Sequence, residues 1–354
     1  MRRLVVALLG LGALALPACG SGSSAAELER STTTTTSTTT TTVPTTTTAP
    51  PPMPLTGLPV TDPGVAARPA LVVKIDNIDT NRGRARPQSG LNQADVVYEE
   101  LVEGGITRFL TVFHSTDADP VGPVRSARTS DIAIFTPLNH PLFAWSGAAG
   151  WVVPRVHASG AIDVGHDAAL GAYYRRGDRR APHNLFSSTP ALYGSAGPGA
   201  GTPPPLFLFR APDDFLGSAA RPVGGVDLGF GGGLGAVPVQ YRWDPAQNGW
   251  GRWQAGTPHV DEAGVQVAPQ NVIVQFVPYG FDSPRVPLAQ VVGTGPVWVL
   301  TNGHLVEGTW SKPSPEAVTQ YLDAVGRPIG LTPGRTWVAV LPSAGAAVGS
   351  AVVV

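Results

Sequence analysis

Apolar and polar positions divide the chain into four stretches. Leu4 to Leu16 is an almost unbroken apolar run, and the stretch from Gly20 to Pro52 has no apolar periodicity at all. From Pro54 to about Arg210 short apolar runs alternate with polar, glycine- and proline-rich segments. "ALVVKIDN" predicts a strand, because Ala70 to Ile75 is rich in β-branched residues. "ITRFLTVFHS" predicts a second, alternating around Ile106, Phe109 and Val112, and "HPLFAWSG" a buried strand running into a glycine turn. "LNQADVVYEEL" fits helix or strand equally well. "RTSDIAIFTPL" predicts a helix capped by Thr129 or Ser130, with Asp131 in its first turn and Pro137 at its end. "STPALYGSAG" predicts a short helix with Pro190 near its start.

The last stretch, from Val237 to about Pro342, reads as almost entirely β. "VPVQYRWD", "GWGRWQ", "QNVIVQFVPYG", "GPVWVLTNGHLVEGTW" and "GRTWVAVLP" are short β-branched and aromatic runs separated by turn residues. Asn302-Gly303 suits a two-residue type I′ hairpin. "SPEAVTQYLDAVG" predicts the one helix there, with Ser314 as cap and Pro315 at its first position. The pattern therefore predicts an α+β chain, with a mixed α/β domain over residues 54–215 followed by a mostly β domain over residues 225–345.

The N-terminal run changes the picture from fold to location. Arg2 and Arg3 precede an apolar segment of signal-peptide length, too short for a retained membrane span. Leu16-Pro17-Ala18-Cys19 follows, and Cys19 is the only cysteine in 354 residues. A small residue before a lone cysteine, behind an apolar run, resembles a bacterial lipobox, although Pro17 departs from the usual pattern. The expectation is a signal peptide over residues 1–18 and a lipid on Cys19. The alternative is an ordinary secretory signal, discarded with its cysteine. Residues 19–53 are Gly/Ser-rich and then almost pure threonine, closed by prolines. Such a tract cannot bury a core and reads as a disordered tether. Extended, it would span on the order of 100 Å. Expected location is extracytoplasmic, anchored to the cell membrane through Cys19.

Composition narrows the function further. Formal net charge is -1 and charged residues are 14% of the chain, which excludes a general nucleic-acid binder. All basic residues but Lys74 and Lys312 are arginine. Polar residues concentrate in the first folded block. Asp76 ends its opening strand, Glu99, Glu100, Glu103 and Arg108 follow, and Arg125 and Arg128 come just before a predicted helix start. Guanidinium groups there suit a phosphate or carboxylate, or else pair with the glutamates as a structural network. Asp76, Glu99, Glu100, Arg108, Arg125 and Arg128 are the candidate ligand-binding set. "RGRAR" and "RRGDRR" are basic turns, either solvated or in contact with anionic polymer or headgroups.

No catalytic, metal or cofactor residue is expected. His114, His157, His166 and His183 lack metal-ligand spacing, Asp163 and His166 match no metal motif, and Ser126 and Ser146 lack a nucleophile elbow. Gly231-Gly232-Gly233 is not a dinucleotide loop. Among the tryptophans, Trp298 and Trp337 are expected in the core, and Trp250 and Trp253 at the surface.

"RPALVVKIDN", "ARPQSGLNQADVVYEELVEGGITRFL", "VGPVRSAR" and "APHNLFSS" resemble the N-terminal domain of the YerB-like lipoproteins. "GTPHVDEAGVQVAPQNVIVQFV" and "NGHLVEGTW…GRPIGLTPGRTWVAVLP" resemble their C-terminal domain. The resemblance spans about Pro54 to Pro342 and implies a two-domain extracytoplasmic bacterial lipoprotein. It implies no activity. The resulting expectation is a tethered binding or scaffold protein with an Arg/carboxylate anion groove, its partner a wall polymer or envelope protein. The alternative is a hydrolase or transferase acting on wall polymer or lipid-linked phosphate.

Overall fold

A computed structural model describes residues 51–354 except 81–82, 212–213, 215, 218 and 232–237. The expected signal peptide, Cys19 and nearly all of the tether lie outside the described residues, as does most of the 231–233 glycine run.

Ten strands form the path of the main sheet. They are β1 (Leu71–Asp76), β2 (Val96–Leu101), β3 (Thr107–Phe113), β4 (Leu142–Ala144), β5 (Ile162–Asp163), β6 (Arg221–Pro222), β7 (Asn271–Ser283), β8 (Gly293–Thr301), β9 (His304–Lys312) and β10 (Thr336–Gly345). Their order across the sheet is β6-β9-β8-β7-β10-β2-β3-β1-β4-β5, with Val286–Ala289 added on β7 and Gln320–Asp323 on β9. The first block thus supplies one side of the sheet and the second block the other. They join where β10 pairs in parallel with β2, from Thr336 opposite Val96 to Val340 opposite Glu100. β10 pairs in parallel with β7 on its other side, so it is central and buried. Its run Thr336–Pro342 is buried at every position, as expected of a strand covered on both faces.

A second sheet of five strands has the order Thr257–Pro258, Gly249–Gln254, Val239–Asp244, Gly225–Gly229 and Ser350–Val353. Among the described residues four short α-helices accompany the sheets: α1 (Pro63–Ala67), α2 (Thr129–Phe135), α3 (Val153–His157) and α4 (Thr189–Gly194).

Most predicted elements form. The ambiguous "DVVYEEL" segment is strand β2, because β3 and β10 flank it on both sides. Asn302 and Gly303 take φ of 47° and 72°, the left-handed pair a type I′ turn needs between β8 and β9. Helix α2 ends at Phe135 and passes into a 3-10 turn at Thr136–Leu138, with Pro137 inside it.

Several expectations fail. The N-cap of α2 is Arg128, not Thr129 or Ser130, which lie inside the helix. The helix predicted from Ser314 does not form: the segment turns and Gln320–Asp323 pairs with β9, from Gly308 opposite Asp323 to Ser311 opposite Gln320. Strand pairing there outweighs the local capping signal. Trp250 is not at the surface but fully buried, its ring tilted against that of Trp243 with centroids 5.0 Å apart. Trp253 is half-buried. Trp337 is buried as expected, whereas Trp298 is half-buried against Phe276.

Candidate functional site

Charged residues at the ends of β1, β2 and β3 are placed by strand alternation. Asp76, Arg108 and Glu100 lie directly opposite one another across the three strands, so their side chains share one face. Lys74 opposes Leu110 and therefore projects to that same face. Glu99 is one residue out of phase and lies on the other face, opposite Phe109. The six candidate residues are thus divided: Glu99 has the far face, and the remaining five share the near one or the loops above it.

On the far face Glu99 meets Arg252 of the strand Gly249–Gln254. Arg252 Nη2 donates to both Glu99 oxygens at 2.8 and 2.9 Å, and both side chains are fully buried. Thr107 donates to the same carboxylate at 2.8 Å. The guanidinium also faces the rings of Phe109 and Trp337, 5.4 and 5.2 Å from their centres. Arg252 Nη1 donates to His259 Nδ1, and His259 Nε2 lies 2.8 Å from the Gln88 side-chain oxygen. Burial, together with the Arg252 and Arg86 charges, holds His259 well below its ordinary pKa, so it is a neutral ring.

On the near face Lys74 pairs with Glu100 and, at 2.6 Å, with Asp131; all three are fully buried. Asp131 Oδ2 also accepts the backbone N–H of Arg128 at 2.7 Å, which caps the start of α2. Burial, reinforced by the Glu100 charge and opposed by Lys74, pushes the Asp131 carboxyl up to about 7. Glu100 is pulled the other way, because Lys74 outweighs the cost of its burial. Two carboxylates thus share one ammonium, which leaves no positive charge free for an anion.

The remaining charges lie beside it. Asp76 accepts from Arg125 Nε at 3.1 Å and from His183 Nδ1 at 2.6 Å. Burial acts to raise its pKa, but His183, Arg108 and Arg125 hold it below the ordinary carboxylate value. Arg128 grips Glu103 with two nitrogens, Nε at 2.9 Å and Nη2 closer still, and donates Nη1 to Ala127 O at 2.8 Å. Arg108 is worse served. It is 4% exposed, its Nη1 reaches Ser126 O only at 3.3 Å, its Nη2 stands 3.7 Å from Glu103, and its buried Nε has no partner. Burial and the Arg128 charge pull Arg108 down to about 10. Arg125 spends its Nε on Asp76, and its side chain is 22% exposed. Three guanidinium groups therefore face two carboxylates, Asp76 and Glu103, the latter 41% exposed.

Sequence reasoning singled out neither His183 nor Arg252 as a site residue. Arg252 left one signal, an arginine inside the apolar run "GWGRWQ", since a charge on a buried strand requires a partner. His183 left none in spacing: it is 107 residues from Asp76. Asp163 and His166 do not meet as ligands. Asp163 takes Trp145 Nε1 at 2.9 Å and faces His157, whereas His166 pairs with the exposed Asp167.

The comparisons with known proteins fit this architecture. Residues 55–199 match the model described as "Protein of unknown function (DUF3048) N-terminal domain", and residues 232–338 match its C-terminal counterpart. A protein of Bacillus subtilis (strain 168), named "Putative lipoprotein YerB", is 30% identical over 301 residues, 83% of this chain and 87% of the relative. The chain belongs to the YerB-like family. A crystal structure of the YerB protein from Bacillus subtilis superposes with a TM-score of 0.72 at 25% identity, covering 85% of this chain and 99% of that one. The family's two domains correspond to the two sides of the main sheet, joined by β10 against β2. Within this YerB-like chain Glu99 and Arg252, one from each matched segment, form the buried ion pair across that junction.

Proposed function

We propose that this YerB-like chain is a lipoprotein of the bacterial envelope whose folded part binds an anionic group at Arg108, Arg125 and Arg128. The anchor is a lipid on Cys19, and residues 19–53 hold the folded part away from the membrane. The sequence of the N-terminus and the name carried by the Bacillus subtilis relative support the anchor. If the anchor reading holds, a Cys19→Ser chain leaves the membrane fraction for the soluble one. Retention of that variant with the membrane would refute it.

The observation that carries the binding reading is the unfinished coordination of Arg108. A guanidinium that is 4% exposed, with one nitrogen unpartnered and another too far from its glutamate, bears a desolvation cost that its neighbours do not offset. A phosphate or carboxylate seated between Arg108 and the exposed end of Arg125 would supply the missing acceptors. Asp76 acts as a positioning residue for Arg125, and Arg128, held on Glu103, adds its charge beside the two. Expected ligands are single anionic groups of wall polymer or lipid-linked phosphate.

Titration calorimetry of the detergent-solubilised full chain with inorganic phosphate and with acetate tests this. Arg125→Ala should weaken binding by at least tenfold; it also removes one of the two partners of the fully buried Asp76, so Arg125→Lys, which keeps a charge beside Asp76 but loses the fork, should weaken binding with the smaller drop in unfolding midpoint. Unchanged binding in Arg125→Ala, or no binding by the wild type, would leave the arginines as a structural network only.

A further inference from the structure

Two arginine-rich turns that are far apart in sequence come together around one cavity. Thr80, Gly83, Arg84, Arg86 and Pro87 line one wall, and Asp178, Arg179 and Arg180 the other; the open space is about 580 Å³. Four cations and one carboxylate thus face the cavity, in a chain whose formal net charge is -1. The carboxylate is already engaged: Asp178 receives Arg176 Nε at 3.0 Å and Nη2 at 2.7 Å.

Two of the arginines build the walls and two are unspent. Arg179 donates to Ala85 O at 2.9 Å and Pro87 O at 2.7 Å, tying the turns together. Arg86 donates Nη1 to Asp79 at 3.2 Å, and its Nε is buried without a partner. Arg84 is 82% exposed, its nearest carboxylate oxygen 3.9 Å away. Arg180 is exposed and has no side-chain hydrogen bond or ion pair among the described residues. Asp79–Thr80 pairs antiparallel with Gly83–Arg84, and this wall is held against the core through Gly83. A Cβ there would sit 2.2 Å from His183 Nε2, so only glycine lets the wall close on the ring that pairs with Asp76.

We propose that this cavity binds a linear chain of phosphate groups. An internal phosphate of such a chain carries one charge on two non-bridging oxygens, as a carboxylate does, but these charges follow one another directly along the backbone, so neighbouring groups can meet neighbouring guanidinium forks. Four arginines set around a cavity of this volume match several adjacent phosphates better than a single small anion. The site is separate from the Arg108–Arg125–Arg128 cluster and does not rest on the reading given for it.

The test uses the detergent-solubilised full chain and four probes: linear polyphosphate, a glycerol phosphate oligomer, polyglutamate and inorganic phosphate. Binding of polyphosphate or of the glycerol phosphate oligomer supports the proposal, and the tighter of the two names the backbone preferred. Arg84→Glu/Arg180→Glu should weaken that binding at least tenfold and flatten its salt dependence, with an unchanged unfolding midpoint because both residues are exposed. Arg125→Ala should leave it intact. Arg180→Gln alone, which keeps bulk and removes one charge, should give an intermediate loss. Polyglutamate bound as tightly as polyphosphate, a double variant as tight as the wild type, or no chain-phosphate binding by the wild type would each overturn the proposal.

Discussion

Glu99→Ala lowers the stability of the folded unit by about 3–5 kcal/mol, because it leaves the Arg252 guanidinium buried without a counter-charge. The effect is large because both partners are fully buried and the pair joins the two sides of the fold. Burial alone would drive Arg252 to release its proton, but Glu99 beside it holds the guanidinium's pKa above its ordinary value. The remaining contacts of Arg252 are the Gln254 side chain at 2.8 Å, the His259 ring and three aromatic faces, none of which carries a negative charge. Removing the charge on both sides is expected to cost much less. Glu99→Leu with Arg252→Met should recover most of the loss, since an apolar pair of similar volume escapes the desolvation cost. Urea unfolding of both single variants and the double variant measures this as a coupling energy. Additive losses would mean that the pair is not the joint described above.

Lys74→Met has an effect of similar size and leaves a buried charge of the opposite sign. It strands Glu100 and Asp131, two fully buried carboxylates, without their shared ammonium. Both carboxyls then take up protons in the folded state more readily than in the unfolded chain. A folded-state pKa raised above the unfolded value contributes stability that is present at low pH and lost as pH rises through the folded pKa. The deficit of Lys74→Met relative to the wild type should therefore be smallest near pH 4 and grow toward pH 8. Asp131 already shows this sense in the wild type, its carboxyl standing at about 7 against 3.8. Comparison with Asp131→Asn isolates it: the advantage of the wild type over that variant should fall between about pH 4 and 7. The variant carries a constant penalty as well, because an amide supplies one acceptor where Asp131 supplies two, to Lys74 and to the Arg128 N–H. A deficit of Lys74→Met that shrinks on raising the pH would contradict the buried triad.

The strands were largely legible in the sequence because their burial is. β1 and β10 are rich in buried β-branched and apolar residues, interrupted in β1 by Lys74 and Asp76, and the Asn302-Gly303 turn states its own backbone geometry. What was not legible is which strand lies beside which. The pairing of β10 with β2 joins residues 240 positions apart, Thr336 with Val96, and no local pattern encodes it. Gln320–Asp323 shows the same limit at shorter range: "SPEAVTQYLD" has the signals of a helix start, yet pairing with β9 decides its state. For the charged cluster, composition showed that arginines and carboxylates gather in the first block. It did not show that adjacent Glu99 and Glu100 serve opposite faces, although strand alternation requires it once β2 is known to be a strand. Nor could it pair Glu99 with Arg252 or Asp76 with His183, since those contacts are made by the tertiary fold alone.

The central position of β10 bears on how such a chain reaches its final state when it emerges from a ribosome or a translocation channel N-terminus first. β2 is made early, but the edge it offers to β10 stays open until Thr336–Val340 has appeared, some 240 residues later. For that interval the first block is an unfinished sheet with an exposed hydrogen-bonding edge, the kind that recruits other strands. Parallel pairing over so long a loop is also slow to form. The chain is thus committed to late, all-at-once closure, and a nascent head stalled or truncated before β10 is expected to aggregate or be degraded rather than to persist as a working half.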